Sequence, residues 1–432
     1  MQRDRLQDLK GWRNDPYRKP LIIRGCRQTG KSWLVSEFGK EFDSFITINF
    51  EKNKLIHQYF SADLDIKTIL ERIAILEHTK IEAGKTLIFF DEVQACEDAL
   101  RSLRYFKEEM PELHIIAAGS LLEFALDKIG IPVGRVQFMY LYPLSFAEYL
   151  TNLGYQDIRN FLFKKENDPV LHQQLLDHLK NYMWLGGMPA VVDAWIRDRD
   201  PRTCQRIQDE IIESYQIDFH KYATQREIPH VTKVFEKIPA LLGHKFKYSN
   251  VDGEIRSELI KNAMLLLESA GIANRCFHTS AQRPPLGAEQ DEKKFKVFYF
   301  DIGIAARLLG LDIKQWLINP IQLSNQGSLA EQFVAQEMMA YSEFHKTSKL
   351  YYWHREAKSS NAEVDFVIMK NGEIIPVEVK SSYKGSMKSL DLFFESHPNS
   401  KYALKISEGQ FTRHDKLQEI PLYALESWFI EK

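Results

Sequence analysis

The stretch that decides how the N-terminal third folds is Gly25-Cys26-Arg27-Gln28-Thr29-Gly30-Lys31-Ser32. An apolar run, residues 21–23, precedes it, and a helix-like stretch, residues 33–38, follows it. In the order strand, glycine-rich loop and helix, backbone N–H groups and the helix N-terminus bind phosphate groups. The sequence therefore predicts that residues 25–32 form a nucleotide-binding loop and contact the phosphates of ATP.

A second apolar run, residues 86–90, ends in Asp91-Glu92 and is typical of a buried parallel strand. Lys31 is predicted to reach the β- and γ-phosphates, and the Ser32 hydroxyl to bind Mg²⁺. Asp91 is placed to hold the same Mg²⁺, directly or through water. Glu92 is placed to polarise an attacking water, so the pair of acids favours hydrolysis over binding alone.

Length and composition restrict the class of protein. The 432 residues predict about two to four domains, and 44% of them are hydrophobic, which is enough for real cores. The charged N-terminus is unlike a signal peptide, and no apolar run approaches the ~20 residues that span a bilayer. The four cysteines lie far apart, which argues against a disulfide framework or a zinc site. We expect a cytoplasmic protein without a membrane partner.

Four regions are predicted along the chain. Residues 1–150 alternate apolar runs with helical stretches, as in an α/β domain with a parallel sheet. Residues 151–232 look helical, and residues 233–320 resemble a winged helix, with residues 281–292 as the wing loop or a flexible connection. Residues 321–432 form a last α/β region. The predicted strands of the first region are Pro20–Arg24, Phe45–Phe50, Thr86–Phe90, His114–Ala118 and Val136–Leu141.

Two further residues of the first region are candidates for contact with the γ-phosphate. Ser120 follows the apolar run 114–118 and could sense the phosphate from the end of that strand; the alternative is an ordinary Gly-Ser turn. Arg135 could stabilise γ-phosphate charge in cis or across a subunit interface, and the alternative is a surface arginine. Gln94, which follows the two acids, is a weaker candidate.

The last region contains a hairpin whose register follows from the sequence. Asn371-Gly372 between two apolar runs is the strongest short hairpin signal. With a two-residue loop, Asp365 lies opposite Glu378 and Glu363 lies opposite Lys380. Period-two alternation then puts these four charged side chains on one face of the hairpin. Pro376 lacks an N–H, so a bulge there would shift the register.

Two carboxylates opposed across a ladder repel unless a cation lies between them. Mg²⁺ or Mn²⁺ suits oxygen ligands, so Asp365 and Glu378 are predicted metal ligands. Lys380 would stabilise developing charge or orient water. Glu331, on a predicted amphipathic helix over residues 328–341, is a third candidate; the alternative is an ordinary surface glutamate. The alternative for the whole hairpin is a solvated face on which charges cluster.

These motifs resemble the AAA-type ATPases, with Gly25–Ser32 as the Walker A motif and Asp91-Glu92 as the Walker B motif. Together with Gly134-Arg135, Gly186–Pro189 and Phe300–Gly303, they are similar to one bacterial and archaeal group. In that group the ATPase is followed by a helical and winged-helix region and a C-terminal domain. The resemblance implies the same organisation here, with ATP and Mg²⁺ as cofactors.

The last region resembles the PD-(D/E)xK nuclease-like fold, also called restriction-endonuclease-like. Glu331, Asp365 and Glu378-x-Lys380 stand at the matching positions, but the Pro-Asp of the first motif is absent. The resemblance implies that Glu331, Asp365 and Glu378 bind a metal and that Lys380 is catalytic.

Three functional hypotheses share an Mg²⁺-dependent ATPase. In the first, ATP turnover is coupled to a DNA-binding or nuclease-like C-terminal domain. In the second, the protein is a regulatory ATPase that acts through protein partners or self-association, with the nuclease-like domain as a silent scaffold. In the third, the nuclease is the main activity and ATP turnover is a slow timer. Because the net charge is only −2, a DNA contact would have to come from local basic patches.

Overall fold

The computed structural model describes residues 1–61, 65–130, 134–311, 327–355, 361–380 and 387–430. The chain divides into two compact units. We call residues 2–142 with 342–347 the N-terminal unit, and residues 143–341 with 348–432 the C-terminal unit. Among the described residues, every helix is too short or too polar to cross a membrane.

The N-terminal unit contains a five-stranded sheet in the order β5-β1-β4-β3-β2, and all neighbouring strands are parallel. The predicted α/β class is therefore confirmed, and each predicted strand is present to within one residue at either end. The strands are β1 Leu21–Arg24, β2 Ser44–Asn49, β3 Thr86–Asp91, β4 His114–Ala118 and β5 Gln137–Tyr140. The helices are α1 Arg5–Asn14, α2 Lys31–Gly39, α3 Ile66–Leu76, α4 Glu97–Glu109 and α5 Leu122–Ile129.

Both faces of this sheet are covered, which explains why its strands read as continuous apolar runs. On β3, Leu87 and Phe89 pack into one core, and Ile88 and Phe90 pack into another. All four side chains are buried. Since parallel strands end at the same edge of a sheet, the loops after β1, β3 and β4 lie side by side.

The first part of the C-terminal unit is helical, as predicted for residues 151–232. The motifs Gly186–Pro189 and Phe300–Gly303 meet there, because the Gly187 N–H donates to Asp301 Oδ2 over 2.6 Å. The other carboxylate oxygen, Asp301 Oδ1, accepts from the Ile304 N–H and caps the next helix. Gly186 has a φ of +77°, and a Cβ there would lie 2.1 Å from Asp301 Oδ1, so glycine is required. The helices are α6 Phe146–Asn152, α7 Gln156–Leu162, α8 Pro169–Leu185, α9 Pro189–Asp198 and α10 Pro201–Tyr222.

The predicted winged helix is not confirmed. Three helices do precede a hairpin of β6 and β7, but β6 also pairs in parallel with β8 from the last region. Ala281 and Leu286 of the predicted wing loop are buried in the same hydrophobic core as Trp353, so the loop contributes to that core. The predicted boundary at 320/321 lies outside the described residues. The elements are α11 Ile228–Lys237, α12 Tyr248–Val251, α13 Ser257–Ser269, β6 Ala273–Thr279, β7 Gln290–Tyr299, α14 Ile302–Leu308, β8 Leu350–Arg355 and β9 Ala362–Val364.

The last region adds a five-stranded sheet in the order β10-β11-β12-β14-β13, next to the four-stranded sheet β7-β6-β8-β9. The predicted hairpin is confirmed, since Asn371 and Gly372 both have positive φ and Lys370 pairs with Glu373. Pro376 pairs with Val367 without a shift of register. The remaining elements are α15 Gly327–Ala340, β10 Phe366–Lys370, β11 Glu373–Val379, α16 Lys388–Ser396, β12 Ala403–Ser407, β13 Thr412–His414, β14 Leu417–Pro421 and α17 Leu425–Phe429.

Two expectations for this region need correction. The β10–β11 ladder begins at Phe366, and Glu363 pairs with His354 of β8 rather than with Lys380. Helix α15 is buried on nearly all sides rather than amphipathic. Its buried glutamines bond to backbone groups, and Gln336 also donates to the Tyr182 hydroxyl. Gln332, for example, accepts from the Tyr299 N–H over 2.7 Å and donates to the Tyr299 carbonyl over 2.8 Å. Helix α15 is therefore a buried helix of the C-terminal unit, and it carries Glu331.

Candidate functional site

The loop at residues 25–32 follows β1 and opens α2, as predicted. Gly25 has a φ of +139°, and a Cβ there would lie 2.1 Å from the Leu141 carbonyl oxygen. Gly30 has a φ of +89° immediately before α2. Both glycines are thus required by backbone conformation, and Gly25 also by close packing. Thr29 Oγ1 donates to the Cys26 carbonyl over 3.0 Å and braces the loop between them.

Lys31 turns back over this loop. Its Nζ donates to the carbonyl oxygens of Gly25 and Cys26, each at 2.8 Å. The side chain is buried, and burial lowers the pKa of Lys31 below that of an ordinary lysine. Since both of these acceptors are uncharged, they leave the positive charge of Lys31 available to balance the charge of a phosphate group.

Asp91, at the end of β3, lies beside Ser32. Ser32 Oγ donates to Asp91 Oδ1 over 3.0 Å, and Asn49 Nδ2 donates to Asp91 Oδ2 over 3.1 Å. Burial raises the pKa of Asp91, and the hydrogen bond from Ser32 opposes this shift. Asn49 was not predicted; the available signal was a polar residue at the end of β2, which neighbours β3. A hydroxyl and a carboxylate at this distance fit the few protein ligands that Mg²⁺ takes beside nucleotide phosphates and water.

Glu92 follows Asp91 with a φ of +49°, in the left-handed region of backbone conformation. Gln94 Nε2 donates to Glu92 Oε2 over 2.6 Å, and Ser120 Oγ donates to the same oxygen over 3.4 Å. A Cβ at Gly119 would lie 1.8 Å from Gln94 Oε1, so this glycine makes room for the amide. The structure therefore brings Ser120 and Gln94 to the carboxylate predicted to polarise water.

Arg135 lies at the amino-terminal end of its strand, whereas the phosphate-binding loop lies at the carboxyl end of β1. Strand β5 runs parallel to β1, with Gln137 opposite Leu21, so Arg135 is near the start of both strands, while the phosphate-binding loop follows their ends. Arg135 Nε donates to Glu108 Oε1 over 2.8 Å, and its side chain is 48% exposed. A γ-phosphate contact in cis does not fit this placement, and a contact across a subunit interface stays a prediction.

A lysine that the sequence analysis did not single out lies among the acids of the C-terminal unit. Lys296 Nζ is 3.0 Å from Glu331 Oε2, 2.6 Å from Glu363 Oε1 and 3.8 Å from Asp365 Oδ1. The Lys296 side chain is 0% exposed. Burial by itself lowers its pKa, but the three carboxylates together raise that pKa well above the usual value, so Lys296 is charged. We call Lys296, Glu331, Glu363 and Asp365 the carboxylate cluster.

The other predicted residues adjoin this cluster. Asp365 Oδ2 accepts from the Val379 N–H over 2.8 Å, and Lys380 Nζ forms an ion pair with Glu378 Oε1. Burial, and then the charge of Asp365, raises the pKa of Glu378 to about 7. Glu378 Oε2 is buried and has no hydrogen-bond partner within the described part of the chain. The alternative that Glu331 is an ordinary surface residue is wrong, because its side chain is only 14% exposed.

A divalent metal does not fit the cluster as it stands. Among the residues that the structure describes, no three acidic, histidine or cysteine side chains are grouped to hold a metal ion. The space between Glu331, Glu363 and Asp365 is taken by Lys296 Nζ. An ammonium group and a dication at that distance would repel each other strongly.

Three family models match separate parts of the chain. Residues 17–150 match the family model of an AAA domain. Residues 176–315 match a domain of unknown function (DUF8612), and residues 326–425 match another domain of unknown function (DUF4143). Lys296 lies in the second match and its carboxylate partners lie in the third. The carboxylate cluster thus joins two segments that are described as separate families.

Several solved structures are similar to parts of this chain. The Walker-type ATPase paby2304 of Pyrococcus abyssi is 16% identical, with 71% of this chain and 95% of that chain covered, at a TM-score of 0.46. The Aeropyrum pernix ORC1 protein, solved in complex with DNA, is 11% identical, with 72% and 93% covered, at a TM-score of 0.30. PCH-2 of C. elegans is 14% identical, with 61% and 66% covered, at a TM-score of 0.22. TM-scores below 0.5 do not establish a shared overall fold. A comparison with curated proteins finds no match.

Proposed function

We propose, from the AAA domain over residues 17–150, that this protein binds ATP with Mg²⁺ and hydrolyses it. The observation that carries this proposal is the arrangement at the ends of β1 and β3. There Ser32, the residue after Lys31, donates to Asp91 over 3.0 Å, and Glu92 follows directly. Phosphate, metal and water ligands are thus available at one edge of one sheet.

The loop would hold the phosphates of ATP. Its backbone N–H groups, from Cys26 to Gly30, and the N-terminus of α2 offer partial positive charge to the phosphate oxygens. Lys31 would exchange its two carbonyl acceptors for the more strongly bonding oxygens of the β- and γ-phosphates. Its buried position keeps the ammonium group pointed at the loop, so little side-chain freedom is lost on binding.

Ser32 and Asp91 would hold Mg²⁺, and the ion would neutralise charge on the β- and γ-phosphates. Asn49 fixes the second oxygen of Asp91 and so orients the first oxygen toward Ser32. Glu92 would orient the attacking water and accept its proton. The hydrogen bonds from Gln94 and Ser120 hold the Glu92 carboxylate in one position without neutralising its charge.

Phosphate release by the full chain, measured with Mg²⁺ and with EDTA, tests this proposal. Glu92→Gln should retain ATP affinity and lose about 10²- to 10⁴-fold in turnover, the usual contribution of a general base. Glu97→Gln is a matched control, since Glu97 is an acid in the first turn of α4 in the same unit. Absence of Mg²⁺-dependent release in the wild type, or an unchanged rate in Glu92→Gln, would contradict the proposal.

For the C-terminal unit we propose a silent, nuclease-like scaffold that serves a regulatory ATPase. The observation that favours this role is Lys296, whose ammonium group lies 3.0 Å from Glu331 and 3.8 Å from Asp365, two of the three acids that a nuclease would use to bind its metal. The rival role is a metal-dependent nuclease with Asp365, Glu378 and Lys380. DNA and protein partners, self-association and a cytoplasmic location stay predictions.

Plasmid and single-stranded DNA, incubated with the full chain in Mg²⁺ or Mn²⁺, with and without ATP, separate these two roles. The scaffold role predicts no cleavage above that of a mock preparation in any of these conditions. Cleavage that disappears in Asp365→Ala and in Lys380→Ala, with ATP turnover intact, would establish the nuclease instead.

A further inference from the structure

Lys296 is a buried charge that ATP hydrolysis does not use. It lies on β7, which pairs with β6, whereas its carboxylate partners lie on α15 and around β9. It is the single charged residue in the run Phe295–Phe300, whose other members are all apolar or aromatic. A lysine is almost never fully buried unless it is paired, so its partners account for its presence in this strand.

The surroundings hold this ion pair in place. Lys296 Nζ lies 5.6 Å from the ring centroid of Tyr352, which adds a cation–π contact. Gly243 packs against Glu331 so closely that a Cβ would lie 3.2 Å from Glu331 Oε1. Glu363 is fixed on β9 by its pairing with His354 of β8. Lys296 and its acids are therefore held by contacts with β8 and with the segment around Gly243.

We propose that Lys296 is the resident cation of the carboxylate cluster: its ammonium group takes the place of a divalent metal, and the C-terminal unit folds around it. This inference rests on the scaffold role proposed above. Since a dication and Lys296 Nζ cannot share the space between the same oxygens, the cluster binds no metal while Lys296 is present. Removal of the ammonium group leaves buried carboxylates uncompensated, which is strongly destabilising unless another cation enters.

Two consequences follow for any test of this cluster. Residues 321–432 alone would lack Lys296 and both strands of the β6–β7 hairpin, so the full chain has to be used. The proposed nucleotide site would also bind divalent ions when ATP is present, so the titrations are made without nucleotide and in a Lys31→Ala background.

The first measurement is a Mn²⁺ titration followed by electron paramagnetic resonance. The chain with Lys296 intact should show no stoichiometric Mn²⁺ site at the cluster. One bound Mn²⁺ per chain that disappears in Asp365→Asn would overturn the proposal. This measurement needs no change at Lys296, so it decides the question even if variants at that position do not fold.

The second measurement is thermal unfolding of Lys296→Met. Its melting temperature should fall by several degrees relative to Lys294→Met, which removes an exposed lysine two residues away on the same strand. Mn²⁺ should raise the melting temperature of Lys296→Met and leave that of the wild type unchanged. A Lys296→Met chain as stable as Lys294→Met, or one that Mn²⁺ does not stabilise, would contradict the inference.

If Lys296→Met does not fold, the double variant Lys296→Met with Glu331→Gln should recover part of the lost stability, because one uncompensated carboxylate is gone. A double variant no better than the single one would count against the ion pair. The scaffold role can fail separately: DNA cleavage by a wild type without a Mn²⁺ site at Asp365 would remove the scaffold role and leave Lys296 as the resident cation.

Discussion

Lys31 and Lys296 are both buried lysines with carboxylates nearby, but their ammonium groups contact different partners. Lys31 Nζ lies 2.8 Å from two carbonyl oxygens, and burial lowers its pKa. Lys296 Nζ lies 3.0 Å from Glu331 and 2.6 Å from Glu363. Burial lowers the pKa of Lys296 as well, but the carboxylates together raise it above the usual value. One charge is still available to a ligand, and the other is already compensated within the protein.

The comparison separates two ways of using a buried cation. A lysine held by neutral dipoles can strengthen its interactions when a phosphate arrives, so its environment favours binding. A lysine surrounded by carboxylates gains little from a further anion, and its removal costs stability instead. The partners of the ammonium group, more than its burial, therefore predict which property a substitution changes.

The largest expected effect is that of Lys31→Met on ATP binding. Loss of two charge-assisted hydrogen bonds to phosphate, worth about 3 kcal/mol together, should weaken binding roughly a hundredfold or more. The melting temperature should stay near that of the wild type, in contrast to Lys296→Met. Isothermal titration with MgATP and thermal unfolding of both variants give the two readouts. A Lys31→Met chain that lost stability but kept its affinity for ATP would contradict this distinction between the two lysines.

A smaller effect is expected from Gln94, which holds Glu92 with a neutral amide. Gln94→Ala should lower turnover about ten- to a hundredfold, since a misplaced base is a less effective base, and change KM little. Gln94→Lys would bring a cation to Glu92, as Lys296 does to its acids, and should lower turnover further than Gln94→Ala. Steady-state kinetics of the two variants tests this order. Equal turnover in Gln94→Ala and the wild type would remove Gln94 as a positioning residue.

The smallest effect is expected from Arg135, a cation that already has a carboxylate partner in Glu108. Arg135→Ala should leave the turnover number of the dilute protein unchanged, because the side chain lies at the edge of the sheet opposite the phosphate-binding loop. Turnover measured over a range of protein concentrations provides the test. A loss that appears only at high concentration would instead assign Arg135 to a neighbouring subunit's site.

Much of the N-terminal unit, and the hairpin of the last region, were predictable because their signals are local. The glycines at 25 and 30, the apolar run before Asp91 and the hairpin at Asn371-Gly372 each depend on the conformation of a few consecutive residues. The hairpin register was predicted to the residue for the same reason. The placement of Arg135 also followed from the predicted elements, because Arg135 precedes one predicted parallel strand whereas the phosphate-binding loop follows another.

Local signals in the sequence were enough to predict the phosphate-binding loop, the two acids at the end of β3, the five parallel strands and the hairpin, because backbone geometry and apolar periodicity act over short distances. Which cation pairs with which carboxylate depends on the tertiary structure. The sequence indicated that acids at 365 and 378 need a cation and suggested a metal. Folding brings Lys296 from a strand outside the last region into contact with Asp365, Glu363 and Glu331. Pairing of buried charges depends on distances in space, which spacing along the chain does not encode.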